Sequence, residues 1–330
     1  MAKSTGTIHV SLDTGTDAAY LRSLQSSYPL RLMAPSAQSA SVLGRRHRNV
    51  YILSFGGGLV GGDAVKLRVV VDPDTSLSLC TQGSTRVYKG KNGGESKDCM
   101  QSLDAIVNTG SLLCLLPDHI SPFADARYKS TQMLALHVGA SLVFLDWLGA
   151  GRSLNGEEWR FSVQSYESRV SIMHATSKSS KPAFKEILRD AWLLEHDQPN
   201  PIPPSEIASY ASALHPYTCV GTLILFGPRL TGLIEAATTL FENTISISHK
   251  GVKGFGEGII WSLSKITEDH LELVDSAKDS SGDAAAAVVV VGVILRFSAL
   301  EPRLARDFIR ERLAGLEDAT GSANLFSKQL

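Results

Sequence analysis

Ser54-Phe55-Gly56-Gly57-Gly58-Leu59-Val60-Gly61-Gly62-Asp63 sets five glycines and one carboxylate between two apolar runs, and the way the chain leaves it decides the fold class. By spacing, Gly56-x-Gly58-x-x-Gly61 after the run Val50 to Phe55 matches the dinucleotide-binding fingerprint, which requires a helix to start at the last glycine. The residues after Gly62 have the wrong period for a helix. Val65, Leu67, Val69 and Val71 alternate with Ala64, Lys66, Arg68 and Val70, a period of two rich in β-branched residues, and Asp72-Pro73-Asp74 ends the run. The stretch therefore predicts a strand, a glycine turn and a second strand. A P-loop fails too, because Gly57-x4-Gly62 is followed by Asp63 and Ala64 where phosphate binding uses Lys and Ser or Thr.

Working outward, short strands are expected at Arg31 to Met33, Val50 to Ser54 and Leu77 to Thr81, and Lys89 to Glu95 reads as an exposed loop. Asn108-Thr109-Gly110 turns the chain into Leu112 to Leu116, a continuous apolar run predicted to be buried on both faces, and Pro117-Asp118 stops it. Gln132, Leu134, Leu136 and Val138 alternate, turn at Gly139-Ala140 and resume as Leu142 to Leu148, a hairpin by pattern. Trp159, Phe161 and Val163 alternate again after the links Gly149 to Arg152 and Asn155 to Glu157. Turns this short leave no room for crossover helices, so the expected class is mainly β, antiparallel or coiled, not a doubly wound sheet.

Phe184 to Glu195 fits a helix or a strand and is left open between them. Pro199 to Pro204 marks the clearest organisational break. Beyond it, Ile207, Tyr210, Ala211 and Leu214 form a helical stripe before a strand at Thr218 to Phe226, and Leu230 to Phe241 form a longer stripe. Gly258 to Leu263 returns to strand, and Thr267 to Asp283 has the acidic, Ser-rich composition of a solvated insertion. Ser298-x-x-Glu301 with Pro302 reads as a capping box opening a last helix to about Leu316, with Leu304, Phe308, Leu313 and Leu316 facing the core and a frayed tail at 317–330.

With 330 residues, 43% of them hydrophobic, the chain is long enough for a substantial core. A formal net charge of −1 gives no field for nucleic acid, and Arg45-Arg46-His47-Arg48 is too short to supply one. Cys80, Cys99, Cys114 and Cys219 show no C-x-x-C spacing, which points to reduced thiols in the cytosol. The apolar run Ala284 to Leu295 falls short of the ~18 residues that suggest a membrane span, so it is expected to be a buried strand.

No G-x-S-x-G, H-E-x-x-H or H-x-H is present, and lone histidines such as His137 and His174 read as hydrogen-bonded structural residues. What accumulates is a set of carboxylates at turn ends: Asp63, Asp118, Asp125, Asp146, Glu157 and Glu158. Each can cap a turn. Together they can line an aqueous path, where oxygen ligands of incomplete coordination pass on a divalent ion instead of storing it.

The blocks Gly56 to Asp63, Thr81-Gln82-Gly83-Ser84-Thr85-Arg86-Val87-Tyr88, Leu116-Pro117-Asp118 with Pro122 to Tyr128, Leu145 to Arg152, and Gly156-Glu157-Glu158-Trp159-x-Phe161 resemble, in order and spacing, the urease accessory protein D family, also called UreD or UreH. His119 departs from the proline that family often has after Leu-Pro-Asp. The resemblance implies one UreD-like domain over 1–330, with insertions near 176–181, 198–205 and 267–287. It implies a β-helix-like, coiled β-sheet core with about two helices in the C-terminal half. It further implies a cytoplasmic, non-catalytic scaffold that binds the urease apoprotein and UreF, and through UreF the GTPase UreG. Nickel would then pass through an enclosed path with no tightly bound cofactor, no nucleic acid and no membrane. On that reading Gly56, Gly57, Gly58, Gly61, Gly62, Thr81, Gln82, Tyr88 and Arg152 are family-motif residues, and Asp63, Asp118, Asp125, Asp146 and Glu158 are candidates for the nickel path. The alternative is a β-rich hydrolase using paired carboxylates such as Asp118 and Asp125 on a polar substrate.

Overall fold

The computed structural model describes residues 4–35, 44–89, 97–152, 157–158, 161–179, 182–195, 210–249, 258–268 and 289–321. The chain opens with β1 (Ser4–Asp13), β2 (Ala18–Ser26), β3 (Leu30–Met33) and β4 (His47–Ser54), then passes through one 3-10 turn at Phe55–Gly57. The glycine stretch is a turn between strands, as its period predicts. Gly56 and Gly57 both take φ of 74°, a left-handed conformation that costs a side chain with a Cβ but not glycine. Gly58 is extended and begins β5 (Gly58–Leu59), where a Cβ would fall 2.7 Å from both the Arg86 carbonyl and the Tyr88 ring, so here it is close approach that requires glycine.

From there the chain coils. It runs β6 (Ala64–Val71), β7 (Ser76–Thr81), β8 (Thr85–Val87), β9 (Cys99–Val107), β10 (Leu112–Leu116), β11 (Ile120–Pro122), β12 (Arg127–Leu136) and β13 (Ser141–Gly149). β6, β9 and β12 lie parallel in one sheet, while β7, β10 and β13 lie parallel in a second. Each pair is joined by a corner of a few residues. Corners stack on one another through Asn108 N–H to the Val71 carbonyl at 3.0 Å, His137 N–H to the Val107 carbonyl at 2.9 Å and Ser141 N–H to the Ser111 carbonyl at 2.8 Å.

The expected hairpin at Gly139-Ala140 is therefore not one: β12 pairs with β9 and β13 with β10, in different sheets. Alternation tells which face is buried, not which strand is the neighbour, and stacking on the preceding coil satisfies both backbones while burying both inner faces. The coiled alternative is the one realised.

The chain continues through β14 (Gly151–Arg152), β15 (Glu157–Glu158), β16 (Ser165–Ala175) and β17 (Phe184–Glu195). The Trp159 to Val163 alternation does not make a strand where it is described: Phe161 sits in a turn at φ 64°, with Phe161 and Val163 both buried. The open segment Phe184 to Glu195 is a strand, antiparallel to β16. In order, the first sheet reads β17-β16-β12-β9-β6-β1-β2.

The C-terminal half supplies α1 (Tyr210–Leu214), β18 (Cys219–Phe226), α2 (Thr231–His249), β19 (Ile259–Thr267), β20 (Val290–Ala299), α3 (Pro302–Arg312) and α4 (Leu316–Thr320). β18, β20 and β19 extend the second sheet from β13 by antiparallel pairing. One core lies between the sheets, and a second lies where Leu233, Ile234 and Ala237 of α2 and Ala305, Phe308 and Ile309 of α3 pack on the outer face of the second sheet. All five residues of β10 are buried because that strand faces both cores, and each buried leucine contributes roughly 1.5–3 kcal/mol.

Two expectations at the C-terminus are corrected. Ser298 lies within β20, and α3 begins at Pro302 with Glu301 as an extended N-cap that makes no side-chain cap bond, so no capping box forms. The strand's pairing with β18 and β19 takes Ser298 before the helix can. The tail is not frayed from Glu317: α4 runs to Thr320, which is buried and donates its hydroxyl to the Leu316 carbonyl at 3.0 Å. The proline-rich break at 199–204, the insertion at 198–205 and all of 269–287 lie outside the described residues. No helix among the described residues is long and apolar enough to cross a membrane.

Candidate functional site

Between the two sheets lies a cavity of about 120 Å³ lined by residues of both. β12 supplies polar groups to a lining that is otherwise mostly apolar. Tyr128, Ser130 and Gln132 fall in phase with the buried Leu134 and Leu136, so alternation aims them inward. Gln101 of β9 faces them and accepts the Tyr128 hydroxyl at 2.5 Å, while Gln132 Nε2 donates to Ser130 Oγ at 2.9 Å. Among the described residues Gln132 Oε1 is buried with no hydrogen-bond partner, an orphaned acceptor beside the cavity. Burial raises the Tyr128 phenol pKa, which keeps that ring neutral.

The second sheet contributes two of the candidate carboxylates. Asp146 of β13 lines the cavity and accepts the Ser168 hydroxyl at 2.6 Å. Burial pushes its pKa up to about 6, against the Ser168 bond that lowers it, and the Asp190 charge adds to the rise. Asp118, after β10, also lines the cavity. Its Oδ1 accepts the His119 backbone N–H at 2.8 Å and lies 3.0 Å from His119 Nδ1, and Arg306 Nη2 reaches Oδ2 at 2.9 Å. Burial raises the Asp118 pKa, but the His119 and Arg306 contacts outweigh it and bring it to about 2.

The other candidates are elsewhere. Asp63 is not among the cavity-lining residues, and its Oδ2 accepts Val60 N–H at 2.9 Å, capping the glycine turn. Asp125 takes φ 60° in a turn where its N–H donates to the Ser162 carbonyl, also away from the cavity lining. Asp118 and Asp125 therefore do not both line this cavity, whereas Asp118 and Asp146 do. Glu157 and Glu158 pair with Arg152 and Gly151 in a two-stranded ribbon; the side chains of Arg152, Glu157 and Glu158 lie outside the described residues.

Thr81 is placed at the cavity by β7, where its Oγ accepts the Asp118 N–H at 2.8 Å and donates to the Gly83 carbonyl at 2.9 Å. Gln82 is exposed in the turn after β7, and Tyr88 packs on Phe123 at 4.7 Å. Sequence reasoning missed Arg306, whose partner is 188 residues away, and missed Ser130 and Gln132. For those two a signal existed: polar residues in phase with buried leucines on one strand.

The four cysteines are buried free thiols. Burial pushes each up to about 12, so none is a ready thiolate ligand. Among the described residues no group of three or more His, Cys, Asp or Glu is placed to hold a metal. The cavity thus offers amide, hydroxyl and carboxylate oxygens spread along its walls, an arrangement suited to a hydrated hard or borderline cation without a closed cage.

The two carboxylates predict opposite pH dependences. Asp146 is more acidic unfolded than folded, so between pH ~4 and ~6 the native state holds a proton the unfolded chain has lost, and stability falls as pH rises. Asp146→Asn is expected to stabilise the protein by roughly 1–2 kcal/mol at pH 7.5 and by nothing at pH 4, measured by urea unfolding, the modest figure allowing for water in the cavity. Asp118 acts the other way: its contribution is full above pH ~4 and is lost as pH falls toward 2.

A model of the UreD urease accessory protein family matches residues 4–324 of the chain. An uncharacterized urease accessory protein ureD-like of Schizosaccharomyces pombe is 35% identical over 250 residues, which cover 75% of this chain and 80% of that protein. Urease accessory protein D of Arabidopsis thaliana is 28% identical over 302 residues, 90% of this chain and 92% of that protein. Urease accessory protein UreD of Sorangium cellulosum is 34% identical over 208 residues, 63% and 57% respectively.

Proposed function

The chain belongs to the UreD urease accessory protein family, and from that premise we propose that it is a non-catalytic scaffold that gives nickel an enclosed passage to the urease apoprotein. The single observation that carries the reading is the cavity between the two sheets, mostly apolar in its lining but with Asp146, Asp118, Gln101, Ser130 and Gln132 set into it. Nickel is cargo here. Oxygen donors without a closed set of ligands hold it briefly, which delivery needs and storage does not. The partners are the urease apoprotein on one side and UreF on the other, with UreG joined through UreF, in the cytoplasm. Exposed apolar side chains suit such contacts: Phe55, on the glycine turn, is 47% exposed and its ring lies, tilted by 42°, 5.6 Å from that of Tyr28, which is 67% exposed.

The test is co-purification and activation together. Co-expressed UreF and urease are expected to co-purify with the wild-type chain, and deleting the chain is expected to abolish urease activation at ordinary nickel supply. Full activity in the deletion strain, or failure to assemble, sinks the reading. Asp63→Ala separates two roles for that residue: retained assembly with lost activation places it on the ion path, whereas lost assembly or stability makes it the turn cap that its bond to Val60 describes.

A further inference from the structure

From Ala18 to Gly62 the sequence holds five arginines and no Asp or Glu, in a chain whose formal net charge is −1. This stretch builds β2, β3, β4 and the glycine turn, and at the turn its exposed apolar and cationic groups come together. Phe55 N–H donates to the Pro29 carbonyl at 3.0 Å, which pins the turn beside Tyr28, and Tyr28, Phe55 and Val60 are all exposed. Arg31 pairs with Leu53 one ladder step, about 7 Å, from Pro29 and Phe55, and alternation with the buried Leu30 sends its side chain outward. On the other flank Arg86 pairs with Gly58, and alternation with the buried Val87 does the same there. Arg31 is exposed and Arg86 half-buried, and among the described residues neither guanidinium has a hydrogen-bond or ion-pair partner. Gly56 and Gly57 lie between, and a Cβ at either would meet no atom within 4 Å, so the surface over the turn is open.

We infer that the glycine turn docks a protein partner through a segment that is both apolar and acidic, with an apolar side chain seated on Gly56-Gly57 against Tyr28 and Phe55 and carboxylates at Arg31 and Arg86. The inference rests on the scaffold reading and gives one of its partner contacts a place and a chemistry. Charge selects the occupant. Two unpaired guanidiniums beside exposed aromatic rings, in a stretch with no carboxylate of its own, leave a carboxylate as the group this surface lacks. Asp63, at the far end of the turn, does not supply it, because its Oδ2 is turned to Val60 N–H. Arginine and aromatic side chains are also the groups that carry binding energy at the centres of protein interfaces. Strand addition is not the mode. β3 ends the second sheet, yet Leu30 N–H already donates to the Ser27 carbonyl at 2.9 Å and Leu32 N–H to Ser26 Oγ at 3.1 Å, so these edge donors are occupied. Recognition falls to side chains on a turn that the Phe55–Pro29 bond holds in place beforehand, which lowers the cost of ordering it on binding.

The test compares the wild-type chain with Arg31→Glu/Arg86→Glu, Gly56→Asn and Arg45→Glu, each co-expressed with UreF and the urease apoprotein and purified at low salt. Arg31→Glu/Arg86→Glu is expected to retain roughly tenfold less of one partner, and the wild-type complex to weaken as salt rises. Gly56→Asn is expected to lose the same partner, since asparagine accepts the left-handed backbone while its side chain fills the seat. Arg45→Glu, the same charge change just before β4 at the end opposite the turn, is expected to leave retention unchanged. Thermal melts check that each chain is folded, and should one of the two turn variants fail to fold, the other decides alone. Undiminished retention of both partners by the folded turn variants overturns the inference and leaves the scaffold reading standing, whereas a wild-type chain that retains neither partner overturns both. An equal loss with Arg45→Glu reveals a general field in place of a site and overturns the inference as well. Light scattering on the isolated chain covers the remaining occupant: a wild-type dimer that Arg31→Glu/Arg86→Glu dissociates puts a second copy on the turn and overturns the assignment to a different protein.

Discussion

Replacing Ser130 by phenylalanine is expected to reduce urease activation by more than tenfold while the chain still folds and still co-purifies with UreF and urease. Ser130 is 3% exposed, sits at the centre of the polar run on β12 and accepts the Gln132 amide. Its side chain points into the 120 Å³ cavity, so a benzyl group there fills space that is otherwise open and replaces a hydroxyl with an apolar plug. The fold tolerates this because the volume is already present. Overpacking costs of about 1–3 kcal/mol are reduced where a void receives the new atoms. A passage, by contrast, is lost when any point along it is closed. The checks are urease activity in cells carrying the variant, pull-down of the partners and a thermal melt. Full activation by a folded Ser130→Phe chain removes the inter-sheet cavity from the route.

That variant is informative because its position can be read from periodicity. The glycine turn and the strands beside it were legible because alternation and positive-φ glycines are local properties: Val65, Leu67, Val69 and Val71 are all buried, and Gly56, Gly57 and Gly62 all take positive φ. The same alternation places Ser130 and Gln132 inward with Leu134, and Asp146 lies within the buried run of β13. The partner of each strand was not legible. A four-residue link such as His137 to Ala140 serves a hairpin or a corner equally, and only stacking on the previous coil, a non-local energy, selects the corner.

Site chemistry was legible in half. Asp118 stands out in sequence as a carboxylate after Pro117, but nothing near it announces Arg306, which the folding of α3 across the second sheet brings to it. Asp63 shows the converse: its partner is Val60, three residues away, so the local reading of a turn cap is the one its hydrogen bond expresses. Contacts made over short stretches of chain can be anticipated from residue type and spacing. Contacts that close long loops depend on the whole topology.

Arg229 is the sharpest case of the second kind, and its removal is expected to cost the most stability. It comes after β18 in the turn that opens α2, partly buried, and its backbone N–H donates to Ser141 Oγ at 3.1 Å. Its guanidinium reaches three distant places: Nη1 donates to Ser76 Oγ at 2.8 Å and to the Gly110 carbonyl at 3.2 Å, and Nη2 donates to the Ala319 carbonyl in α4. One side chain thus ties β7, the corner before β10 and the C-terminal helix together. Arg229→Ala leaves these acceptors without a charged donor, at roughly 1.5–3 kcal/mol for each well-made bond and less for the longest. A total loss of about 3–5 kcal/mol is expected by urea unfolding, the sum over three neutral acceptors that lose their charged donor. Hydrogen exchange locates the effect: amides of Leu316 to Thr320 are expected to lose protection before those of β10, because α4 loses a tether while β10 keeps both its strand neighbours. Lysine is a poor substitute, since a single ammonium cannot span Ser76, Gly110 and Ala319 as the planar guanidinium does. An Arg229→Ala chain as stable as wild type, with α4 still protected, shows that the packing of Leu313 and Leu316 alone holds the C-terminal helices to the sheet.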